Sequence, residues 1–141
     1  MKKSASIILA AGLAASLAAC SIREKPLLTV VDAPIATAPD EASIAQTIEA
    51  KLTARGWDIL DKAPGKITAK YSKGNPKEDE PGHSATIAVL YDADSYSIEY
   101  VDSENLDYDA DKGDIHRIYN RWVHNLDTDL ATAFGVTPTV Q

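Results

Sequence analysis

Apolar residues recur every three or four positions in two stretches of this 141-residue chain, and at every second position in the segments between them. Ile44, Ile48 and Leu52, with Ala45 beside them, make one stripe at helical spacing. Asp40 ahead of Glu41, and Ser43 with Gln46, are both arrangements that cap a helix start, and Arg55-Gly56 supplies the stop. A second helix is predicted after Gly113-Asp114. There Ile115, Ile118, Tyr119, Trp122, Leu126, Leu130 and Ala133 keep the same spacing up to Gly135 and Pro138, with Asp114 as the cap.

Strands are predicted between these helices. Trp57-Asp58-Ile59-Leu60 is a short one. Ala63-Pro64-Gly65 then turns the chain into Lys66–Tyr71, where Ile67, Ala69 and Tyr71 alternate with polar residues. A charged loop from Gly74 to Gly82 leads into the most apolar strand, Ser84–Tyr91, and Asp92–Ser95 is short enough to make a hairpin with Tyr96–Val101. Tyr96, Ile98 and Tyr100 fall on one side and Ser97 and Glu99 on the other, so the sheet has one dry face and one wet face. A one-sided sheet needs a cover. The expected fold is α+β, a two-layer domain running helix, four-stranded antiparallel meander, helix, with both helices on one face of the sheet.

The first twenty residues follow a different rule. Lys2 and Lys3 precede an apolar run, Ile7 to Ala15, and Leu17-Ala18-Ala19-Cys20 closes it with small residues, which is the layout of a secretory leader. The run is shorter than the roughly 20 residues that cross a hydrocarbon core. Leu-Ala-Ala-Cys also resembles the lipoprotein processing motif, in which the cysteine receives a diacylglyceryl group and the leader is cut away just before it. Cys20 is the one cysteine of the chain, so no internal disulfide competes for it. The expected organisation is residues 1–19 as leader, residues 20–39 as a lipidated cysteine and flexible tether, and residues 40–141 as one domain. Pro26, Pro34 and Pro39 mark the tether, with Leu27-Leu28-Thr29-Val30-Val31 as an alternative short strand docking on the domain. In an extended path at about 3.1 Å per residue the tether would hold the domain tens of ångströms off the membrane. Ser21, where aspartate would resemble an inner-membrane retention signal, favours the outer membrane, facing the periplasm.

Charge narrows the partners. Lys2 and Lys3 leave with the leader, so 21 acidic side chains face 12 basic ones. Such a chain is a poor ligand for nucleic acid.

Several segments together carry a resemblance: Arg55-Gly56-Trp57, Pro64-Gly65-Lys66-Ile67-Thr68-Ala69, His83-Ser84-Ala85, Tyr96-Ser97-Ile98-Glu99-Tyr100, Ser103-Glu104-Asn105-Leu106-Asp107-Tyr108 and Ile115–Val123. The pattern spans residues 55 to about 126. It resembles a family of small uncharacterised proteobacterial lipoproteins, from which it departs in the acidic loop Glu78-Asp79-Glu80. The resemblance implies an envelope address and a fold, and no chemistry.

Candidate chemistry is sparse. His116 and His124 lie about 12 Å apart along one helix at 1.5 Å per residue, too far to share an ion, so His83 would have to approach one of them across the fold. Asp107, Asp109 and Asp111 resemble the opening of a calcium loop, but the glycine comes one residue late and Ile118 stands where a bidentate glutamate is needed. No serine lies in a nucleophile elbow and no glycine loop cradles phosphate, so neither a catalytic residue nor a cofactor is expected. The candidate binding set is His83, Ser103, Asn105, His116 and Asn120, polar residues of the motif segments that could gather at one edge of the sheet. Their alternative role is to hydrogen-bond their own loops. The sequence thus points to a non-catalytic module for another envelope protein, with a periplasmic small-molecule or divalent-cation binding module as the alternative.

Overall fold

The computed structural model describes residues 23–37, 40–74 and 82–140. The leader, Cys20 and the Glu78-Asp79-Glu80 loop lie outside them. In chain order the elements are β1 (Glu24–Pro26), β2 (Val30–Pro34), α1 (Glu41–Ala54), β3 (Asp58–Ala63), β4 (Lys66–Lys73), β5 (His83–Tyr91), β6 (Ser95–Glu104), β7 (Asp114–His116) and α2 (Arg117–Phe134). The protein is α+β, with two helices, a five-stranded sheet ordered β2-β6-β5-β4-β3 and a two-stranded ribbon of β1 with β7.

Helix α1 starts where Asp40 caps it, its carboxylate accepting the Ser43 N–H at 2.7 Å, and that bond holds the Asp40 pKa below the usual carboxylate range. Ile44, Ile48 and Leu52 are fully buried. Helix α2 ends at Gly135 with φ of +74°, where the Val136 N–H reaches the Ala131 carbonyl at 2.9 Å. Only a residue without Cβ adopts that conformation cheaply, and a Cβ there would also stand 3.2 Å from the Thr37 hydroxyl. The helices are joined where the Arg55 guanidinium forks onto the Asp129 carboxylate at 2.6 and 2.9 Å.

In the sheet, Ile67 faces Val89, which faces Ile98, and Ala69 faces Ile87, which faces Tyr100. The pleat therefore stacks one apolar row across neighbouring strands. A bulge in β6 interrupts it: Thr86 pairs with Asp102 but Ile87 with Tyr100, leaving Val101 unpaired and half exposed. The extra residue flips the alternation, so Ser103 comes to the same face as Tyr100. The edge strand β3 is blunted in the same way, with Leu60 skipped between the pairs of Ile59 and Asp61.

Three expectations are corrected. Residues 20–39 are not a tether throughout, because β1 and β2 are ladder-bonded strands. Pro26 and Pro34 misled, since each ends its strand, where a missing N–H costs no internal ladder bond, while Val30 and Ala33 bury against the core. The main sheet accordingly has five strands, not four. Finally, Asp114 does not cap the last helix. With β1 as a ladder partner, Asp114–His116 is captured as a strand that still buries Ile115, and His116 becomes the cap, its Nδ1 accepting the Ile118 N–H at 3.2 Å.

Asp127, absent from the sequence reading, is the one fully buried acid among the described residues. Its Oδ1 accepts the Tyr96 hydroxyl at 2.7 Å and its Oδ2 the backbone N–H groups of Thr139 and Val140 at 3.0 and 3.3 Å. Burial and this bond push the Tyr96 phenol far above its ordinary pKa. Asp127→Ala leaves three donors without an acceptor and is expected to lower stability by about 3–5 kcal/mol. Urea unfolding checks this, and a loss under about 1 kcal/mol would contradict the role given to Asp127.

Candidate functional site

The candidate residues meet where the ribbon, the start of β5 and the start of α2 converge. Chain reversal after β6 builds this end. Asn105 and Asp107 adopt φ of +56° and +50°, the left-handed region that asparagine and aspartate tolerate best among residues with a side chain. Between them Leu106 is driven inward and buried. Its carbonyl accepts the His116 N–H at 2.8 Å, joining the loop to β7.

His83 and His116 are brought together from opposite ends of the motif region. Their rings stack at 5.9 Å between centroids with planes 14° apart. His83 Nδ1 lies 2.6 Å from the Asn105 carbonyl. A carbonyl only accepts, so this nitrogen carries a proton, and in the neutral tautomer Nε2 keeps its lone pair. The reverse holds at His116, where Nδ1 accepts the helix-capping bond and the proton of the neutral ring sits on Nε2. The pair thus presents one acceptor and one donor. For both Nε2 atoms to ligate one metal ion, His116 would have to give up its cap. Among the described residues no group of three or more His, Cys, Asp or Glu is placed to hold a metal ion.

The other candidates act locally. The Asn105 amide donates to the Gly82 carbonyl at 2.8 Å, so Asn105 clasps the start of β5 through both its side chain and its backbone. Ser103 bonds the Tyr100 hydroxyl at 2.8 Å, on the face to which the bulge turns it. Asn120 grips the ribbon: its amide donates to the Pro26 carbonyl at 2.8 Å and accepts the Leu28 N–H at 3.0 Å, copying the bonds a neighbouring strand would make. His124 lies one turn beyond Asn120 along α2. Asp109 is engaged with its own loop, accepting the N–H groups of Asp111 and Lys112 at 3.0 and 3.2 Å and pairing with the Lys112 ammonium at 3.0 Å. The Lys112 contacts hold the Asp109 pKa down.

Beside this end stands a tyrosine cluster. Tyr100 stacks on Tyr108 at 4.4 Å and meets Tyr119 edge-on at 5.7 Å. The Tyr119 hydroxyl is buried and unpartnered among the described residues. Two surface crevices lie elsewhere. One of about 120 Å³ runs between Arg55, Trp57, Tyr71, Trp122 and Asn125. A shallower one of about 280 Å³ lies beside the β5–β6 turn, rimmed by Asp32, Asp92 and Ser95. The aromatic walls of the first, Trp57 and Trp122, are almost wholly buried, which leaves little ring face for a ligand.

His116 titrates below an ordinary histidine because burial disfavours its charged form, and His83, Arg117 and Arg23 add repulsion against the opposing pull of Asp107. A depressed folded-state pKa means that the unfolded chain binds the proton first. The stability contributed by neutral His116 is therefore intact above about pH 6.5 and is lost as pH falls through the folded-state value. His116→Asn keeps a cap that does not titrate, so its melting temperature should fall less than the wild type's between about pH 7 and 5. Equal slopes would show that His116 does not carry the effect. In a second test, Asn120→Ala removes both bonds to the ribbon and should cost about 1–3 kcal/mol. Hydrogen exchange at the Leu28 amide should accelerate while α1 stays protected; unchanged exchange at Leu28 would refute the clamp.

No family model matches the chain, and no curated protein is found similar to it.

Proposed function

We propose that the protein is a cell-envelope lipoprotein, anchored through a lipidated Cys20 after loss of residues 1–19, whose domain is a non-catalytic binding module for another envelope protein. The resemblance of residues 55–126 to small uncharacterised proteobacterial lipoproteins is part of this reading, as is placement in the outer membrane facing the periplasm. The anchor rests on the sequence Leu17-Ala18-Ala19-Cys20 behind its apolar run. One observation supports the non-catalytic half: the polar motif side chains are engaged in holding backbone. His83, Asn105, His116 and Asn120 each bond a main-chain group, and Asn120 does so across more than ninety positions. Each of these bonds fixes a segment of main chain, which is the support for reading them as fasteners.

The two-layer arrangement belongs to the same reading. Its support is that Ile44, Ile48 and Leu52 of α1, Tyr119, Val123, Leu126 and Leu130 of α2, and the alternating residues Ile67, Ile87, Val89 and Ile98 of the sheet form one buried cluster. No helix among the described residues is long and apolar enough to cross a membrane. Attachment in this reading falls to acyl chains, at least two of which are needed for stable anchoring.

Cys20→Ser is expected to abolish incorporation of labelled palmitate in cells and to leave the leader uncut, seen as a slower-migrating band. Normally processed, membrane-bound protein from this variant would overturn the lipoprotein reading. In-cell crosslinking of the tagged wild type, followed by identification of the captured protein, tests the binding role.

A further inference from the structure

The point at which the fold begins bears on how an anchored domain would sit. Arg23 is already fixed, its carbonyl accepting the Arg117 N–H at 2.8 Å, and β1 follows at once. Only Ser21 and Ile22 separate Arg23 from Cys20. Fully extended, that connection spans about 10 Å. The ribbon and the first turn of α2 therefore form one pole of the molecule, close to the anchor. The opposite pole is equally well defined: the Ala36 and Thr37 N–H groups reach the Phe134 carbonyl at 3.1 Å, and the Ile35 N–H reaches Asp94 in the β5–β6 turn at 2.8 Å. The 18 residues of α2 run between the poles, roughly 27 Å at 1.5 Å per residue.

We infer that the β1–β7 pole lies directly on the phospholipid headgroups and that the β5–β6 turn points away from the membrane, toward the partner. This rests on the lipid anchor at Cys20 proposed above. The anchor pole carries Arg23, Lys25, Lys112, Arg117 and Arg121 against Glu24, Asp107, Asp109, Asp111 and Asp114, so its charges nearly balance. The β5–β6 turn at the far pole carries Asp92 and Asp94. The short connection sets the stance, and an anionic surface repels the acidic turn over about a Debye length.

The lipidated full chain, with the single cysteine of the sequence occupied by lipid, accepts one added thiol label without ambiguity. Lys25→Cys and Asp94→Cys are each labelled with a fluorophore and reconstituted into vesicles of phosphatidylethanolamine and phosphatidylglycerol bearing a headgroup quencher. Quenching is expected to be several-fold stronger at position 25 than at position 94. Equal quenching, or stronger quenching at 94, in protein that floats with the vesicles would overturn the orientation and leave the anchor standing. Protein that fails to float would overturn the anchor and the orientation with it. A flexible glycine–serine insertion between Ile22 and Arg23 should shrink the difference, and an undiminished difference would refute the short connection as its cause.

Discussion

The seat of α2 against β6 depends on one buried carboxylate. Asp127 lies in the interior with no salt bridge among the described residues, and taking a carboxyl group out of water costs free energy unless hydrogen-bond partners replace the lost hydration. Three do: the Tyr96 hydroxyl from the sheet and two backbone N–H groups from the tail beyond Gly135. The donors come from two separate parts of the molecule, and the acid itself from a third, α2. Apolar packing alone would tolerate a shift of α2 along the sheet, because leucine and valine make comparable contacts in neighbouring registers. A shift of one turn would leave Asp127 without its phenol, so the polar triangle selects one register from several of similar hydrophobic energy. Tyr96, stacked on Phe134 at 5.6 Å, is in turn held by both kinds of contact.

The other end of the molecule solves the opposite problem with similar means. There the chain reverses, and a ribbon of only three residues per strand must be held. Side chains imitate backbone. Asn120 supplies an acceptor and a donor to consecutive sites on the incoming segment, Asn105 closes the start of β5, and His116 replaces the hydroxyl or carboxylate usual at a helix start. These residues are prominent in the sequence because each fits one geometry, which is also why polar prominence there signals fastening as readily as binding.

Much of this was legible in the chain. The stripe Ile44-Ile48-Leu52 gave α1 and its stop at Arg55-Gly56, with the start left between Asp40 and Ser43, and alternation gave Lys66–Tyr71 and the hairpin that follows. What escaped reading did so for physical reasons. Proline suggested a tether because its cost depends on whether its N–H faces a partner, which no local pattern reveals. Ile115 carried helical spacing into a strand because a buried isoleucine at the junction satisfies both periodicities. The Val101 bulge, which decides the face of Ser103, has no residue signature. Asp127 did leave a trace: it sits in step with Val123, Leu126 and Leu130, and a charged residue inside an apolar stripe announces a buried acid. The pairing of His83 with His116 was posed as a condition across the fold, and only tertiary structure brings the rings together.

The ribbon has a further consequence, for the order in which the molecule assembles. Glu24 pairs with His116, and Leu28 bonds Asn120. Strand β1 thus waits for partners some ninety residues later, and the Asp127 site is completed only by Thr139. Closing so long a loop carries an entropic cost before any contact repays it, and such non-local pairing slows folding. A chain emerging in order from its amino end can form α1 and the β3–β6 hairpins early, yet both of its fasteners stay open until residues 114–140 have appeared. Until then the chain remains pliable enough to be threaded.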